Sequence, residues 1–338
     1  MSLLLVTHPE CDGHDVVGHP ESPARMRAVL GGIAASEFRD AVVHVAAPLA
    51  GIESLLAVHD ERLIEAIRNT SVSGGARFDA DTVAVAGSWG AAQRAAGAGL
   101  AAIEALRNGD ADAAMCVVRP PGHHATPQRP MGFCLFNNIA VAARALADAG
   151  ESVVIVDWDA HHGNGTQAMC EGDSRIGFVS IHEWPQYPGT GRPDDHGPLG
   201  NIINVAVPAG TTGAVYRTLF VDVVAPFVAA RRATWLLLSA GFDAHRADPL
   251  TNLGLTGADF ADLARDASQL VTRGRVVAFL EGGYDLAALG ESAVACVGGL
   301  LGRRVDGVRS DANDDADPAA ARVVAAAARY VAERAWAR

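Results

Sequence analysis

Short apolar runs rich in β-branched residues alternate with alanine-rich helical stretches along most of this chain. Because these runs are almost continuously apolar, they predict strands that are buried on both faces. Strands of this kind, separated by helices, are typical of a mainly parallel sheet with helices on both sides. The predicted strands are Leu3–Thr7, Ala41–Val45, Ala114–Val118, Val153–Asp157, Gly177–Ile181, Ile202–Val207, Trp235–Ala240 and Val276–Leu280.

The length and the helical stretches indicate one large α/β domain. A chain of 338 residues with 49% hydrophobic content can form a single unit around one sheet. We expect this domain to span residues 1–309, and residues 310–338 to form an acidic linker and a helix, Ala319–Ala335, that packs on the body or on a second subunit. The other predicted helices are Ser88–Arg107, Asn138–Ala149, Ala214–Ala230, Ala258–Val271 and Ala287–Leu301.

Two carboxylates and two imidazoles follow the fourth predicted strand, in the sequence Asp-Trp-Asp-Ala-His-His. In an extended strand, the side chains of Asp157, Asp159 and His161 would share one face. Carboxylate oxygen and imidazole nitrogen suit zinc or a similar dication, and a catalytic metal site usually has three protein ligands and an open position. Ligands of α/β proteins also gather at the carboxyl ends of strands. We therefore expect a metal site here, with a third ligand from elsewhere in the chain.

A pair of histidines, His123 and His124, follows the strand that ends at Val118. The pair comes directly after Pro-Pro-Gly, which forms a stiff turn because proline fixes φ. A stiff loop can hold a general base in place, and Asp157 is available to orient one of the two rings. We expect this pair to take part in catalysis.

Two further side chains stand just after predicted strands. Asp243, after Trp235–Ala240, is the expected third metal ligand, whereas Asp248 before a proline is expected to form a turn. Tyr284 follows two glycines after the last strand. A tyrosine hydroxyl beside a metal can donate a hydrogen bond to a developing oxyanion.

Composition narrows the possible partners and chemistry. A net charge of −12 and a pI near 5.4 argue against nucleic acid as a partner. The chain contains no lysine, which excludes a Schiff-base mechanism. Its five cysteines are scattered without a Cys-x-x-Cys pair, no basic leader opens the chain, and no run of 18 apolar residues appears. We expect a cytoplasmic protein with no membrane segment.

Five segments together resemble the motif set of the zinc-dependent histone deacetylase family, which includes the acetylpolyamine amidohydrolases. Their order and spacing match those of the family, and two shorter segments extend the resemblance over about residues 8–300. The resemblance implies a three-layer arginase/deacetylase-like fold with about eight strands. The five segments are Arg119–Ala125, Gly132–Asn138, Asp157–Gly165, Ser239–Asp243 and Glu281–Tyr284, and the two shorter ones are His19–Arg25 and Asp79–Thr82.

The resemblance also implies a mechanism and its residues. Zinc, or ferrous iron, would be held by Asp159, His161 and Asp243. His124 would act as general base on the attacking water, and one histidine of the pair would protonate the departing amine. The orienting groups would be Asp157 behind His123 and Asn164 behind His124, and Tyr284 would stabilise the oxyanion. An amide behind His124 in place of an anion should make this ring less basic.

The substrate side of the resemblance is more variable. Gly132 and Phe133 match one wall of an acyl tunnel, and Tyr187 stands where the other wall usually has phenylalanine. Leu250 matches a rim position that is often apolar and that can carry a carboxylate in branches that select charged polyamines, so leucine weakens the acetylpolyamine interpretation without excluding it. An acidic loop with Asp79 and Asp81 matches a segment that contacts the substrate backbone or a cation. The family further suggests a potassium ion near Asp157 and the backbone oxygens of Asp159, His161, Ser180 and Ile181.

Three alternatives remain open. An arginase-type hydrolase would need carboxylates at positions 163 and 245 for two metals, and these positions are Gly163 and His245. An acyl-binding protein without catalysis would be expected to lack one of the reactive residues, yet His123, His124 and Tyr284 are all present. An acetylpolyamine or other small-amide hydrolase would differ in substrate and not in reaction. The resemblance implies an acetylated lysine or an acetylated small amine as the substrate, and it leaves room for a homo-oligomer.

Overall fold

A single eight-stranded sheet forms the centre of the computed structural model, which describes residues 1–303 and 318–334. A separate two-stranded hairpin lies outside this sheet. All eight predicted strands form, with ends shifted by one or two residues at three of them. The strands are β1 Leu3–Thr7, β2 Val42–Ala46, β3 Gly75–Arg77, β4 Val83–Val85, β5 Ala113–Cys116, β6 Val153–Asp157, β7 Ile176–Glu183, β8 Ile202–Val207, β9 Trp235–Ala240 and β10 Val276–Leu280.

Every pair of neighbouring strands in the large sheet is parallel, in the order β2-β1-β5-β10-β9-β6-β7-β8. The carboxyl ends of all eight strands therefore meet at one edge. In register, Asp157 at the end of β6 lies beside Ser239 of β9 and Ser180 of β7. The loops that carry the predicted reactive residues thus start from adjacent points at this edge.

Helices cover the sheet and complete a large apolar core that contains the central strands. Helices α1, α9 and α10 pack together as one group, and α4 packs with α3 and α5 in another. The helices are α1 Pro23–Ala35, α2 Ile52–Leu56, α3 Glu61–Val72, α4 Ser88–Asn108, α5 Asn138–Asp148, α6 Asn164–Cys170, α7 Gly213–Leu219, α8 Ala225–Ala230, α9 Gly257–Ser268, α10 Leu286–Leu300 and α11 Pro318–Glu333.

The predicted continuous helix Ala214–Ala230 is interrupted. A π-helical turn, Phe220–Val224, separates α7 from α8. Pro226 at the start of α8 has no N–H to donate to the preceding turn, so regular α-helical bonding cannot run through this point. Residues 213–230 are also the one helical stretch among the described residues that is long and apolar enough to cross a membrane, and half of this stretch is buried inside the protein.

The C-terminal helix α11 packs on the edge strand β8 and on α7 and α8. It buries Ala320, Val324 and Val331 against the body. The acidic linker predicted before it lies outside the described residues, apart from Pro318 at its end. We retain the division into residues 1–309 and 310–338 as a proposal.

Candidate active site

The three candidate metal ligands converge at the carboxyl edge of the sheet. Asp159 and His161 lie in the loop after β6, and Asp243 lies in the loop after β9. One ligand atom of each lies within 4.8 Å of the other two. His161 Nδ1 is 3.2 Å from Asp159 Oδ1 and 3.0 Å from Asp243 Oδ2. Among the described residues this is the one cluster of three or more such side chains that could hold a metal ion.

The backbone that carries Asp159 and His161 is not the extended strand expected from the sequence. Strand β6 ends at Asp157, and the residues after it form bends. The Asp159 N–H donates to Asp157 Oδ1 over 3.1 Å, and the His161 N–H donates to Asp159 Oδ1 over 2.9 Å. These hydrogen bonds fold the loop back over the strand end. The loop, and not the two-residue period of a strand, brings Asp159 and His161 together.

The donor set fits a cation. Burial alone would lower the pKa of His161, but hydrogen bonds to Asp159 and Asp243 raise it well above its usual range. The two buried carboxylates thus favour positive charge at this point. Gly282 allows the backbone after β10 to lie against these two carboxylates. Its N–H donates to Asp159 Oδ2 over 2.8 Å, and a Cβ at this position would overlap the carboxylate oxygens of Asp243 and Asp159. Oxygen and imidazole donors of this kind suit zinc or ferrous iron.

The two histidines have different partners and opposite shifts in pKa. His123 Nδ1 lies 3.0 Å from Asp157 Oδ2, and His124 Nδ1 lies 2.8 Å from Asn164 Oδ1. Burial alone would lower the pKa of His123, but the carboxylates of Asp159 and Asp157 outweigh it and raise this pKa. Burial and the neighbouring His123 lower the pKa of His124 well below its usual range. These shifts favour the neutral form of His124 and the protonated form of His123, and the two ring centroids lie 4.0 Å apart.

The segment that carries Tyr284 is held from two sides. The Arg25 guanidinium donates to the carbonyl oxygens of Glu281 and Gly283, the latter over 2.7 Å, and its centre lies 5.0 Å from the centroid of the Tyr284 ring. The Asp248 carboxylate accepts from the Tyr284 N–H over 2.6 Å. Burial raises the pKa of the Tyr284 phenol well above its usual range, and the carboxylates of Asp243 and Asp159 add to this effect. This shift favours the neutral, protonated form of the Tyr284 phenol.

Sequence reasoning missed Arg25, Glu21 and Asp248 as parts of this site. Glu21 is fully buried and pairs with both Arg25 and Arg119. Glu21 and Arg25 belong to the segment His19–Arg25, which resembles the family but to which no role was assigned, so this segment was the available signal. Asp248 was expected only to form a turn; it does accept from the Leu250 N–H two residues on, and its other oxygen also binds the Tyr284 segment.

The predicted tunnel residues Phe133 and Tyr187 lie against the candidate catalytic side chains. Gly132 and Phe133 both have positive φ, +55° and +68°, which turns the Phe133 ring toward the site. The Phe133 ring lies 5.8 Å from that of Tyr284, and the Tyr187 ring lies 5.1 Å from that of His124, both edge-on. One aromatic ring thus lies against Tyr284 and the other against His124.

The acidic loop and the rim residue lie next to these rings. Asp79 and Asp81 stand in the turn between β3 and β4, where Asp79 accepts from the Asp81 and Thr82 N–H groups. The Thr82 hydroxyl accepts from the Phe133 N–H over 3.3 Å, which ties this loop to the tunnel wall. Leu250 is 38% exposed, and its carbonyl accepts from the side chain of Gln186, next to Tyr187.

Two of the residues suggested for potassium are also placed here. Ser180 pairs with Asp157 across β6 and β7, and its hydroxyl hydrogen-bonds with His182 Nδ1 over 2.9 Å. The Ile181 carbonyl oxygen lies 3.5 Å from the Tyr216 hydroxyl.

The two positions at which a two-metal site would need carboxylates carry none. Gly163 has no side chain, and position 245 is a histidine whose Nδ1 accepts from the Ala247 N–H.

Comparisons with known proteins show which family this chain resembles. Residues 19–300 match the model of the histone deacetylase domain. A probable deacetylase of Archaeoglobus fulgidus is 36% identical over 272 residues, which cover 78% of this chain and 76% of that protein. A histone deacetylase-like amidohydrolase of Pseudomonas aeruginosa is 34% identical over 306 residues, 88% of this chain and 79% of that protein.

The fold has an equally close counterpart among solved structures. The crystal structure of the HDA15 HD domain superposes with a TM-score of 0.89 and 33% sequence identity. The superposition covers 99% of this chain and 95% of that domain, so the arginase/deacetylase fold expected from the sequence is confirmed. The chain belongs to the histone deacetylase family.

Proposed function

We propose that this protein is a metal-dependent amidohydrolase that hydrolyses the acetyl amide of acetyl-lysine side chains, or of related acetylated amines, to acetate and free amine. The observation that carries the proposal is the convergence of a candidate metal site, an imidazole with a lowered pKa and a partly buried phenol at one edge of the sheet. Amide hydrolysis requires a general base, a polarised carbonyl and a donor to the oxyanion. This site offers a candidate for each.

Asp159, His161 and Asp243 would hold one zinc ion, or ferrous iron. When bound, such a dication polarises a carbonyl oxygen and lowers the pKa of water. Three protein ligands leave a coordination position open, as in catalytic metal sites generally. Side chains around the ligands would transfer the protons and stabilise the oxyanion.

His124 is the general base in this proposal. With Nδ1–H donating to the Asn164 oxygen, the lone pair of the neutral ring lies on Nε2 and can accept a proton from water. The water oxygen bonds to the carbonyl carbon as this proton leaves, and the carbon–nitrogen bond then breaks. The departing amine takes a proton from a histidine of the pair, His123 or His124.

Tyr284 donates a hydrogen bond to the oxyanion that forms on the carbonyl oxygen. The raised pKa keeps its hydroxyl proton in place at neutral pH, and Arg25 with Asp248 fixes the backbone on which it stands. A donor that is fixed in advance costs no reorganisation during the reaction. Phe133 and Tyr187 would enclose the acyl group and the alkyl chain.

Acetyl-lysine is the substrate that the rim favours. Leu250 supplies no anion for the second amine of a polyamine. Asp79 and Asp81 nevertheless provide carboxylates in the loop that Thr82 links to Phe133. An acetylpolyamine or another small acetylated amide is the alternative substrate of the same reaction. We further assign a potassium ion to Asp157 with the backbone oxygens of Asp159, His161, Ser180 and Ile181, which the pairing of Asp157 with Ser180 supports.

We place the protein in the cytoplasm, since all five cysteines are buried and unpaired, as a reducing compartment would leave them. The test of the function is a panel of amides assayed on zinc-loaded protein: an acetyl-lysine peptide, acetylputrescine and acetylspermidine. We expect acetate release with preference for the peptide. A strong preference for the polyamines would overturn the lysine assignment, and binding of every compound without acetate release would overturn the enzyme assignment.

A further inference from the structure

Glu281 is a fully buried carboxylate that the proposed reaction does not use. It lies directly after β10, three residues before Tyr284. Its Oε2 accepts two hydrogen bonds, from the Gly122 N–H over 2.7 Å and from the His123 N–H over 3.1 Å. The side chain therefore joins the loop that carries the histidine pair to the segment that carries the phenol, although 158 residues separate Glu281 from His123.

Contacts around these two bonds show how the histidine loop is held. The His123 carbonyl accepts from the Thr166 N–H over 3.1 Å, so the backbone of His123 is bound on both sides. Gly122 is packed so closely that a Cβ would meet the Asn138 backbone nitrogen at 2.5 Å. With Glu281 absent, two buried N–H groups would lose their acceptor, and an unsatisfied buried donor favours a shift of the backbone.

The second oxygen of the same carboxylate is unusual. Oε1 is buried and has no hydrogen-bond partner among the described residues. Burial raises the pKa of Glu281 to about 7, with the Asp157 carboxylate adding to the rise and His123 opposing it. A charged group with a bare oxygen would be costly in this place, whereas the acceptor role of Oε2 needs no charge.

We infer that Glu281 is a positioning residue: by accepting from Gly122 and His123, its side chain holds the histidine loop in register with the Tyr284 segment. The inference rests on the proposed function, because the register matters for a reaction that uses both loops. In this inference, the length of the Glu281 side chain positions the histidine loop, and its charge does not. A displacement of about 1 Å in such a loop can cost on the order of 10²-fold in rate.

A matched pair of substitutions separates reach from charge. Glu281→Gln keeps the length and one acceptor oxygen, which can receive both N–H groups, and removes the charge. Glu281→Asp keeps the charge but is shorter by one methylene, about 1.5 Å, so it cannot reach both groups. Positioning predicts that the Gln variant keeps kcat within about tenfold of wild type. It predicts that the Asp variant loses about 10²-fold in kcat with little change in KM.

A second measurement does not depend on activity. Hydrogen exchange of the backbone amides in residues 119–125, followed in protein without added metal, should be as slow in the Gln variant as in wild type and faster in the Asp variant. The exposed Glu65→Gln on α3 serves as the control for loss of one carboxylate. Equal or higher kcat in Asp than in Gln, or unchanged exchange in Asp, would overturn the inference. A wild-type protein that hydrolyses no acetylated amine would instead overturn the proposed function and leave the exchange result standing.

Discussion

Replacement of Glu21 by glutamine should destabilise the protein by an amount that depends on pH. The Glu21 carboxylate is fully buried and contacts Arg119, with Oε1 2.5 Å and Oε2 2.6 Å from guanidinium nitrogens, as well as Arg25 at 3.1 Å. Burial alone would raise its pKa, but the two arginines outweigh burial and lower the pKa from 4.5 to about 2. This difference corresponds to about 3 kcal/mol of folding free energy. Removing one partner of a buried ion pair typically costs about 3–5 kcal/mol, which agrees.

The sign of the pH dependence follows from the lowered pKa. The stabilisation by Glu21 is fully present above the unfolded pKa of 4.5 and is lost as the pH falls toward about 2. Urea unfolding of wild type and Glu21→Gln should therefore differ by about 3 kcal/mol at pH 7, and the difference should shrink below pH 4.5. The exposed Glu65→Gln is the control. A difference below about 1 kcal/mol at pH 7, or one that stays constant down to pH 3, would refute the reasoning.

Three further predictions concern the site itself. Tyr284→Phe should retain bound metal, measured by elemental analysis, yet lose about 10²–10³-fold in kcat because the oxyanion loses its donor; wild-type turnover would contradict that role. Asp159→Ala should lose metal and activity together, and retention of stoichiometric zinc would exclude Asp159 as a ligand. Gly282→Ala should lower zinc affinity in a competition titration with a chelating dye, since a Cβ displaces the carboxylates of Asp243 and Asp159. Unchanged affinity would show that the backbone at position 282 can shift without displacing the two carboxylates.

The strands and the candidate ligands were predictable because both depend on local patterns. Continuous apolar runs define buried strands, and parallel strands bring their carboxyl ends to one edge, so Asp159 and Asp243 had to lie near each other. Helix α3 was missed although Leu63, Ile64 and Ile67 have helical spacing and are buried on one face. Its signal was present in the sequence, at lower hydrophobicity than that of the longer helices.

The supporting charges could not be read from local patterns. Arg25 binds the backbone of Gly283 from 258 residues away, and Glu281 binds that of His123 from 158 residues away. Such bonds depend on which loops meet after folding, and single buried charges do not recur with the spacing of a helix or a strand. The bend after Asp157 was missed for a related reason, because side-chain to backbone hydrogen bonds, and not strand periodicity, set its shape.

The central claim is that one dication and the surrounding side chains hydrolyse an acetyl amide. The most direct test follows acetate release from an acetyl-lysine peptide by metal-free protein during titration with zinc, with metal content measured in the same samples. We expect activity to rise with zinc and to saturate at one ion per chain, with acetate and free amine formed in equal amounts. Activity that requires two manganese ions per chain, or saturation with one zinc and no acetate released from any acetylated amine, would contradict it.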